Sequence, residues 1–248
     1  MENNKYYITT AIDYINGKPH IGHSYEKVAA DVLARFCRRK LGNENVWFVT
    51  GTDEHGAKIA EYALKSELAI GEFADQTAAL FKLAWDNLNV SYNRFIRTTD
   101  PDHVKIVEDV ITKIKDNGYL YEGDYEGLYC VGHEAFLTEK DLIDGQCPDH
   151  KTTPELIKEK NWFFKVSAFT EIIQSKIQLG EFVIHPEHSK KEILTMLEEG
   201  FTDIAVTRPN VTWGIPVPWD KTQTIYVWVD ALFNYYTGAQ TEDGTNFW

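Results

Sequence analysis

The sequence predicts an α/β fold: a parallel sheet with helices on both faces, interrupted by one small, metal-stapled insert. Three observations predict it. Apolar, β-branched runs alternate with helix-periodic runs through residue 118, polar glycine-marked loops follow the first two strands, and a cysteine–histidine pattern lies inside a turn-rich stretch after Tyr119. Regular alternation of strand and helix favours parallel pairing, because each helix carries the chain back across the sheet. A chain of 248 residues can bury a substantial core as one large domain or as a domain with an insert.

The first strand is expected over 6–12, where Tyr6, Tyr7, Ile8 and Ile12 give an aromatic and β-branched run. A helix follows from Ser24, with Val28, Val32 and Phe36, together with Ala29, Leu33 and Cys37, at the spacing of one apolar face. Between them lies Asn16-Gly17-Lys18-Pro19-His20-Ile21-Gly22-His23. Where a strand end leads into a helix start, free N–H groups and the positive dipole end suit phosphate. His20 and His23 can hydrogen-bond phosphate oxygens, and Gly22 leaves room for backbone and ligand to approach. Two histidines in a loop are a weak signal alone. A second loop, Thr50-Gly51-Thr52-Asp53-Glu54-His55-Gly56, follows the strand expected over 45–49 and opens on the same sheet edge.

Helices are expected over 57–67 and 73–88 and a third strand over 94–99. Asp100-Pro101 then reads as an N-cap with proline at the first helical position. Val104, Val107, Ile111 and Ile114 form the stripe of the helix that follows, and Gly118 is placed to end it. The alternation stops at Tyr119, and the aromatic stretch to about Phe164, with Gly123, Gly127, Gly132 and Gly145, reads as an insert. Helices over 168–179 and 190–199 and strands over 204–207 and 224–229 return the chain to the main fold. The expected division is therefore 1–118, 119–165 and 166–248.

Within the insert, Cys130-x-x-His133 and Cys147-x-x-His150 form two knuckles that can close on one ion. Thiolates and imidazoles suit the borderline softness of zinc, and four protein ligands complete a closed, structural tetrahedron. A small insert with little core gains its stability from such a staple.

Composition sets the remaining bounds. No segment reaches the eighteen or so continuous apolar residues that span a bilayer, and Met1 to Lys5 lack the basic and apolar runs of a leader peptide. Three cysteines, two of them in metal-like spacing, argue against a disulfide framework, so a cytoplasmic protein is expected. A formal charge of −13 confines any RNA contact to local basic groups. Arg35, Arg38, Arg39 and Lys40 are one such group, but cations at a helix C-terminus are explained more simply by the dipole.

The segments A-I-D-Y-I-N-G-K-P-H-I-G-H, T-G-T-D-E-H-G, W-G-I-P-V-P and Y-V-W-V-D-A-L, in that order, resemble the class I aminoacyl-tRNA synthetases, and within them the methionyl-tRNA synthetases, over the whole chain. The resemblance implies a Rossmann-like catalytic domain that activates methionine with ATP, accompanied by Mg2+, and passes the adenylate to tRNA(Met). It implies that His20 and His23 are catalytic and contact ATP beside Gly22, and that Asp53 binds the methionine ammonium. It further implies a thioether pocket of Ile12, Tyr14, Trp228, Ala231, Leu232 and Tyr235. A zinc-binding connective insert is common in this family, usually cysteine-rich; here His133 stands at one expected cysteine. Lys18 and Glu26 lie near the nucleotide loop, and His55 is placed either to orient neighbours or to make a structural hydrogen bond. A K-M-S-K-S-like loop and the helical anticodon-binding domain do not occur in these residues, so the expectation is an N-terminal catalytic portion without the second Rossmann half. Two other readings stay open: a truncated, non-catalytic methionine- or nucleotide-binding module that needs a second polypeptide, and a small HxGH nucleotidylyltransferase. The latter leaves the Trp228 motif and the insert unexplained.

Overall fold

A computed structural model describes residues 5–133, 135–137, 139–241 and 243–248, with only the backbone of 125, 135 and 136. Residues 1–4, part of the segment read for a leader, lie outside the described residues. The strands β1 (Tyr6–Thr9) and β2 (Asp13–Tyr14) lead into α1 (Ile21–Leu41), β3 (Val46–Asp53), α2 (Ala57–Lys65), α3 (Ile70–Asn87), β4 (Arg94–Arg97) and α4 (Pro101–Asp116). All pairings of β3 are parallel: Tyr6 to Thr9 lie beside Val46 to Val49, Asp13 and Tyr14 beside Thr52 and Asp53, and β4 runs along the other edge. The expected strand over 6–12 is thus broken into two short pieces, and among the described residues no strand pairs with the outer edge of β1.

Period-two alternation along β3 divides the molecule into two layers. Val46 and Phe48 meet Ile8, Ala34, Cys37, Phe81 and Trp85 in a core under α1 and α3. Trp47 and Val49 face the other side, where the Trp47 indole donates to the Gly238 carbonyl at 2.8 Å. Helices therefore cover both faces, as the alternation predicted. Gly51 has to be glycine: a Cβ there would lie 1.8 Å from the Ile96 carbonyl oxygen of the neighbouring strand. In α4, Val107 and Ile111 are buried against Val206, Ile215, Val217 and Ile225, with Val104 and Ile114 at the margin.

The sequence reading is corrected at α1. The helix starts at Ile21, and its buried residues are Lys27, Asp31, Ala34 and Cys37. The apolar face read from the spacing is largely in the open: Val28, Val32, Leu33 and Phe36 are exposed, as are Ile21 and Tyr25 at 88% and 81%. Polar partners explain the rotation. The Asp31 carboxylate accepts from the Ser91 amide and from Arg35 Nε, each at 2.7 Å, and the Lys27 ammonium donates to Asp13 at 2.7 Å. These bonds hold the mixed face of the helix against the sheet.

Beyond α4 a long antiparallel hairpin, β5 (Leu120–Cys130) and β7 (Glu155–Phe164), replaces the expected loop-like stretch, with β6 (Ala135–Leu137) at its far end. After it come α5 (Thr170–Gln178), α6 (Glu187–Glu199), β8 (Ile204–Ala205), β9 (Thr207–Arg208), β10 (Pro216–Val217), β11 (Asp220–Ile225), α7 (Val227–Leu232) and α8 (Asn234–Gly238). The strand expected over 204–207 serves two sheets, β8 joining β7 and β9 joining β11. The strand expected over 224–229 ends at Ile225. Val227 to Val229 are helical despite their β-branched bias, with the Asp230 amide donating to the Tyr226 carbonyl at 3.1 Å. No helix among the described residues is long and apolar enough to cross a membrane.

Candidate active site

The start of α1 is capped by its own histidines. The Gly22 amide donates to His20 Nδ1 at 3.1 Å, and the His20 amide donates to His23 Nδ1 at 3.2 Å, a reciprocal capping box. With Nδ1 accepting in both rings, each neutral imidazole carries its proton on Nε2, and both keep a donor for a ligand oxygen. The rings lie 3.8 Å apart, and a Cβ on Gly22 would come within 2.9 Å of the His20 ring. Burial, reinforced by the neighbouring His20 and Lys27, pushes the His23 pKa below its ordinary value. This favours the neutral donor form.

Below this turn the strand segment Ala11 to Tyr14 is fastened to α1. Lys27 is completely buried, and its ammonium donates to the Asp13 carboxylate at 2.7 Å, to the Ala11 carbonyl at 3.0 Å and to Glu26 at 3.1 Å. Glu26 in turn accepts from the Ala11 amide at 2.7 Å. Burial raises the Asp13 carboxyl to about 6, although the Lys27 ammonium pulls it down. Nothing in the motif reading singled out Lys27 or Asp13; an ionisable residue between apolar positions of a helix was the available signal.

The loop after β3 distributes its three polar side chains in different directions. Glu54 is buried and accepts both bonds of an Arg97 fork, at 2.7 and 2.8 Å, with Thr52 and Thr99 hydroxyls completing its shell at 2.6 and 2.7 Å. His55 Nδ1 donates to Asp230 at 2.6 Å. Trp213, from the W-G-I-P-V-P segment, closes the loop: its indole donates to the Glu54 carbonyl at 2.6 Å and its carbonyl accepts from the Gly56 amide at 3.0 Å. Asp53, held between these anchors, lines a cavity of about 500 Å3.

That cavity gathers every residue expected for the amino acid. Ile12 and Tyr14 come from the β1–β2 segment, Asp53 from the end of β3, Trp228, Ala231 and Leu232 from α7, and Tyr235 from α8. Trp228 and Leu232 are more than half exposed, so the hollow is open on one side. His20, Gly22 and His23 are not among its lining residues; they are connected to it through Ala11, which is in the lining and is held by Glu26 and Lys27. Asp230, from the same Y-V-W-V-D-A-L segment, is not among the residues lining the cavity. It is fully buried, and although burial raises its pKa, hydrogen bonds from His103 and His55 bring it below the ordinary carboxylate value. The basic group at the end of α1 is partly consumed internally: Arg35 bonds Asp31 and the Asn89 carbonyl, and Arg38 bonds Ser91 and Asn93.

The four knuckle residues converge. Their ligand atoms all lie within 4.8 Å of one another. Cys147 Sγ is 3.4 Å from His150 Nδ1 and 3.5 Å from His133 Nδ1, and Cys130 Sγ is 3.7 Å from His150 Nδ1. A tetrahedron built on zinc–sulfur and zinc–nitrogen bonds has edges of roughly 3.3–3.8 Å, so these separations fit that ion. His133 Nε2 donates to Asp149 at 2.9 Å, which leaves Nδ1 as the ligand atom. A Cβ on Gly132 would strike the His150 ring at 2.3 Å, so the knuckle needs glycine there. Lys58 ties α2 to the knuckle through the Gly132 carbonyl at 3.2 Å, and His133 and His150 reach the rim of the 500 Å3 cavity. The three cysteines form no disulfide.

The chain is similar to known proteins over nearly its whole length. The family described as tRNA synthetases class I (M) matches residues 6–153 and 141–246. A methionine–tRNA ligase of Clostridium perfringens is 45% identical over 233 residues, covering 94% of this chain and 36% of its own length. One from Streptomyces coelicolor is 39% identical, over 94% of this chain and 45% of its own length. The crystal structure of Mycobacterium tuberculosis methionyl-tRNA synthetase bound by methionyl-adenylate superposes with a TM-score of 0.88 at 36% identity, over 96% of this chain and 48% of that one. The chain thus spans less than half the length of the relatives it matches.

Proposed function

We propose, from the premise that this chain belongs to the class I tRNA synthetases of the methionine group, that it carries the methionine- and nucleotide-binding part of a methionine–tRNA ligase. The observation that carries the reading is the convergence of Asp53 with six apolar and aromatic residues on one hollow. A carboxylate beside a soft, aromatic wall is complementary to an amino acid with a cationic ammonium and a thioether.

In the proposed reaction the methionine ammonium pairs with Asp53, and the side chain enters between Ile12, Tyr14, Trp228, Ala231, Leu232 and Tyr235. ATP, accompanied by Mg2+, lies with its phosphates at the N-terminus of α1, where the Nε2 donors of His20 and His23 and the helix N–H groups meet the charge that develops on the α-phosphate. Gly22 lets the backbone come close. The methionine carboxylate attacks the α-phosphate in line and pyrophosphate leaves; in the complete enzyme a terminal hydroxyl of tRNA(Met) then takes the methionyl group from the adenylate and AMP leaves. Orientation supplies most of the acceleration, since no protein nucleophile is needed.

Calorimetry with methionine, norleucine and isoleucine tests the pocket, and methionine-dependent ATP–pyrophosphate exchange tests the chemistry. Methionine is expected to bind in preference to isoleucine, and exchange should require both substrates. Binding without exchange would favour the non-catalytic module instead. No preference for methionine would overturn the reading.

The connective segment 119–165 is proposed to hold one structural zinc on Cys130, His133, Cys147 and His150, and residues 1–118 and 166–248 to form the catalytic domain. When bound, the ion supplies closure of the knuckle and no reactive group. Elemental analysis is expected to find about one equivalent of zinc per chain, and a chelator should lower the melting temperature. Cys147→Ser should bind no zinc. Free, buried thiols are in keeping with a reducing, cytoplasmic setting.

A further inference from the structure

Beneath the proposed methionine pocket lies a polar bridge with no part in the reaction above. Asp230 Oδ2 accepts from His55 Nδ1 at 2.6 Å, and Asp230 Oδ1 accepts from His103 Nε2 at 2.8 Å. His103 Nδ1 meets the Thr237 hydroxyl at 3.2 Å. Asp230, His103 and Thr237 are all fully buried, and His55 nearly so. A carboxylate only accepts, so both facing ring nitrogens carry protons; neutral His103 then has a lone pair on Nδ1, which the Thr237 hydroxyl donates into. Both Asp230 oxygens and both His103 nitrogens thus have partners.

Three of its members sit beside residues that line the cavity, and the fourth, His103, reaches them from α4 outside it. Asp230 lies on α7 between Trp228 and Ala231, Thr237 on α8 two residues after Tyr235, His55 two residues after Asp53, and His103 in the first turn of α4. Helices of six and five residues are too short to hold their own geometry, because one or two internal hydrogen bonds do not offset the cost of nucleation. Something outside them must fix where their side chains stand. We propose that Asp230 is the positioning residue of the methionine pocket: through His103 it fastens α7 and α8 to α4, and through His55 it fixes the distance between the Trp228 wall and the Asp53 carboxylate. This rests on the reading of the hollow as a methionine site. A buried carboxylate with both oxygens bonded, and a ring with both nitrogens bonded, are held in one geometry, and a rigid frame discriminates closely similar ligands better than a compliant one.

The test uses the whole chain, with Asp230→Asn, His103→Gln and the milder Thr237→Val. Methionine, norleucine and ATP affinities are measured by calorimetry at a temperature where circular dichroism shows each variant folded. For Asp230→Asn the methionine Kd is expected to rise at least about tenfold, the preference for methionine over norleucine to shrink, and the ATP Kd to stay within about twofold. Thr237→Val, which removes one hydroxyl, should raise the methionine Kd about threefold and serves if the others do not fold. Nitrogen-15 spectra of the imidazoles should show protons on His55 Nδ1 and His103 Nε2 in the parent chain, with that pattern changed in Asp230→Asn. Equal weakening of both ligands, or an unchanged methionine Kd in folded Asp230→Asn or Thr237→Val, would overturn the proposal. If the parent chain binds no methionine, the functional reading fails first and takes this one with it.

Discussion

Asp53→Ala is expected to raise the methionine requirement by about 10²–10³-fold while the ATP requirement changes by no more than a few fold. The carboxylate lies in the wall of the cavity, on a loop whose neighbours are independently fixed by Arg97, Asp230 and Trp213. Removing it should therefore delete one charge without moving the backbone. A bound ammonium that loses its counter-ion in a partly dry hollow forfeits about 2–5 kcal/mol, much of it the cost of an unpaired charge. The proposed nucleotide contacts at the start of α1 would use His20, His23 and helix N–H groups, and neither histidine lines the cavity that Asp53 lines. Calorimetric titrations or exchange kinetics with each substrate varied in turn would measure the split, and equal losses for both substrates would contradict the assignment.

Lys27→Met should be the most destabilising single change outside the apolar core. Lys27 is buried and its ammonium has three oxygen partners, so the substitution leaves the Asp13 carboxylate buried without its cation. Loss of one member of a buried ion pair costs about 3–5 kcal/mol. The sign of the pH dependence follows from Asp13. Its pKa is raised to about 6 in the folded chain, first by burial and against the pull of Lys27, and without Lys27 it rises further. A raised carboxyl contributes its stability fully below the unfolded value and loses it as the pH climbs through the folded one. The deficit of Lys27→Met is thus largest near pH 8 and smaller near pH 5, where Asp13 takes a proton and no bare charge remains. Urea unfolding at the two values would show it, and Asp13→Asn in the same background should restore part of the loss at pH 8. An identical deficit at both would argue against this origin.

Signals that are local in the chain were legible in the sequence. The convergence of Cys130, His133, Cys147 and His150 was readable because Cys-x-x-His spacing brings each pair together by covalent geometry alone, and the fold only had to bring the two pairs into register. The stripe of α4 was readable because one face is packed and the other wet. The inward face of α1 was not, since hydrophobicity ranks Val28, Val32 and Phe36 above Lys27 and Asp31, whereas the partners that draw the latter two inward stand at Asp13 and Ser91. Residues 227–229 read as strand for a related reason. Their β-branched bias gives way to a helix whose anchor, His103, is 127 residues from Asp230 in sequence. In the candidate site, residues that would touch ligand followed from motifs. The residues that hold them are less legible: Glu54 and Asp230 stand inside the motifs without a ligand role, and Arg97 and His103 gain their meaning only when the fold juxtaposes them with these carboxylates.

The open side of α1 also has a colloidal consequence. Ile21, Tyr25, Val28, Val32 and Phe36 follow one another at helical spacing as an exposed hydrocarbon ridge on that helix. Each Å2 of such a ridge gains roughly 25 cal/mol on meeting another like it, so dispersal depends on mutual repulsion between molecules with a net charge of −13. That repulsion reaches about 10 Å in 0.1 M salt but only about 3 Å in 1 M. Concentrated electrolyte therefore removes the barrier while leaving the adhesive seam intact, and turbidity on salting should begin along this helix.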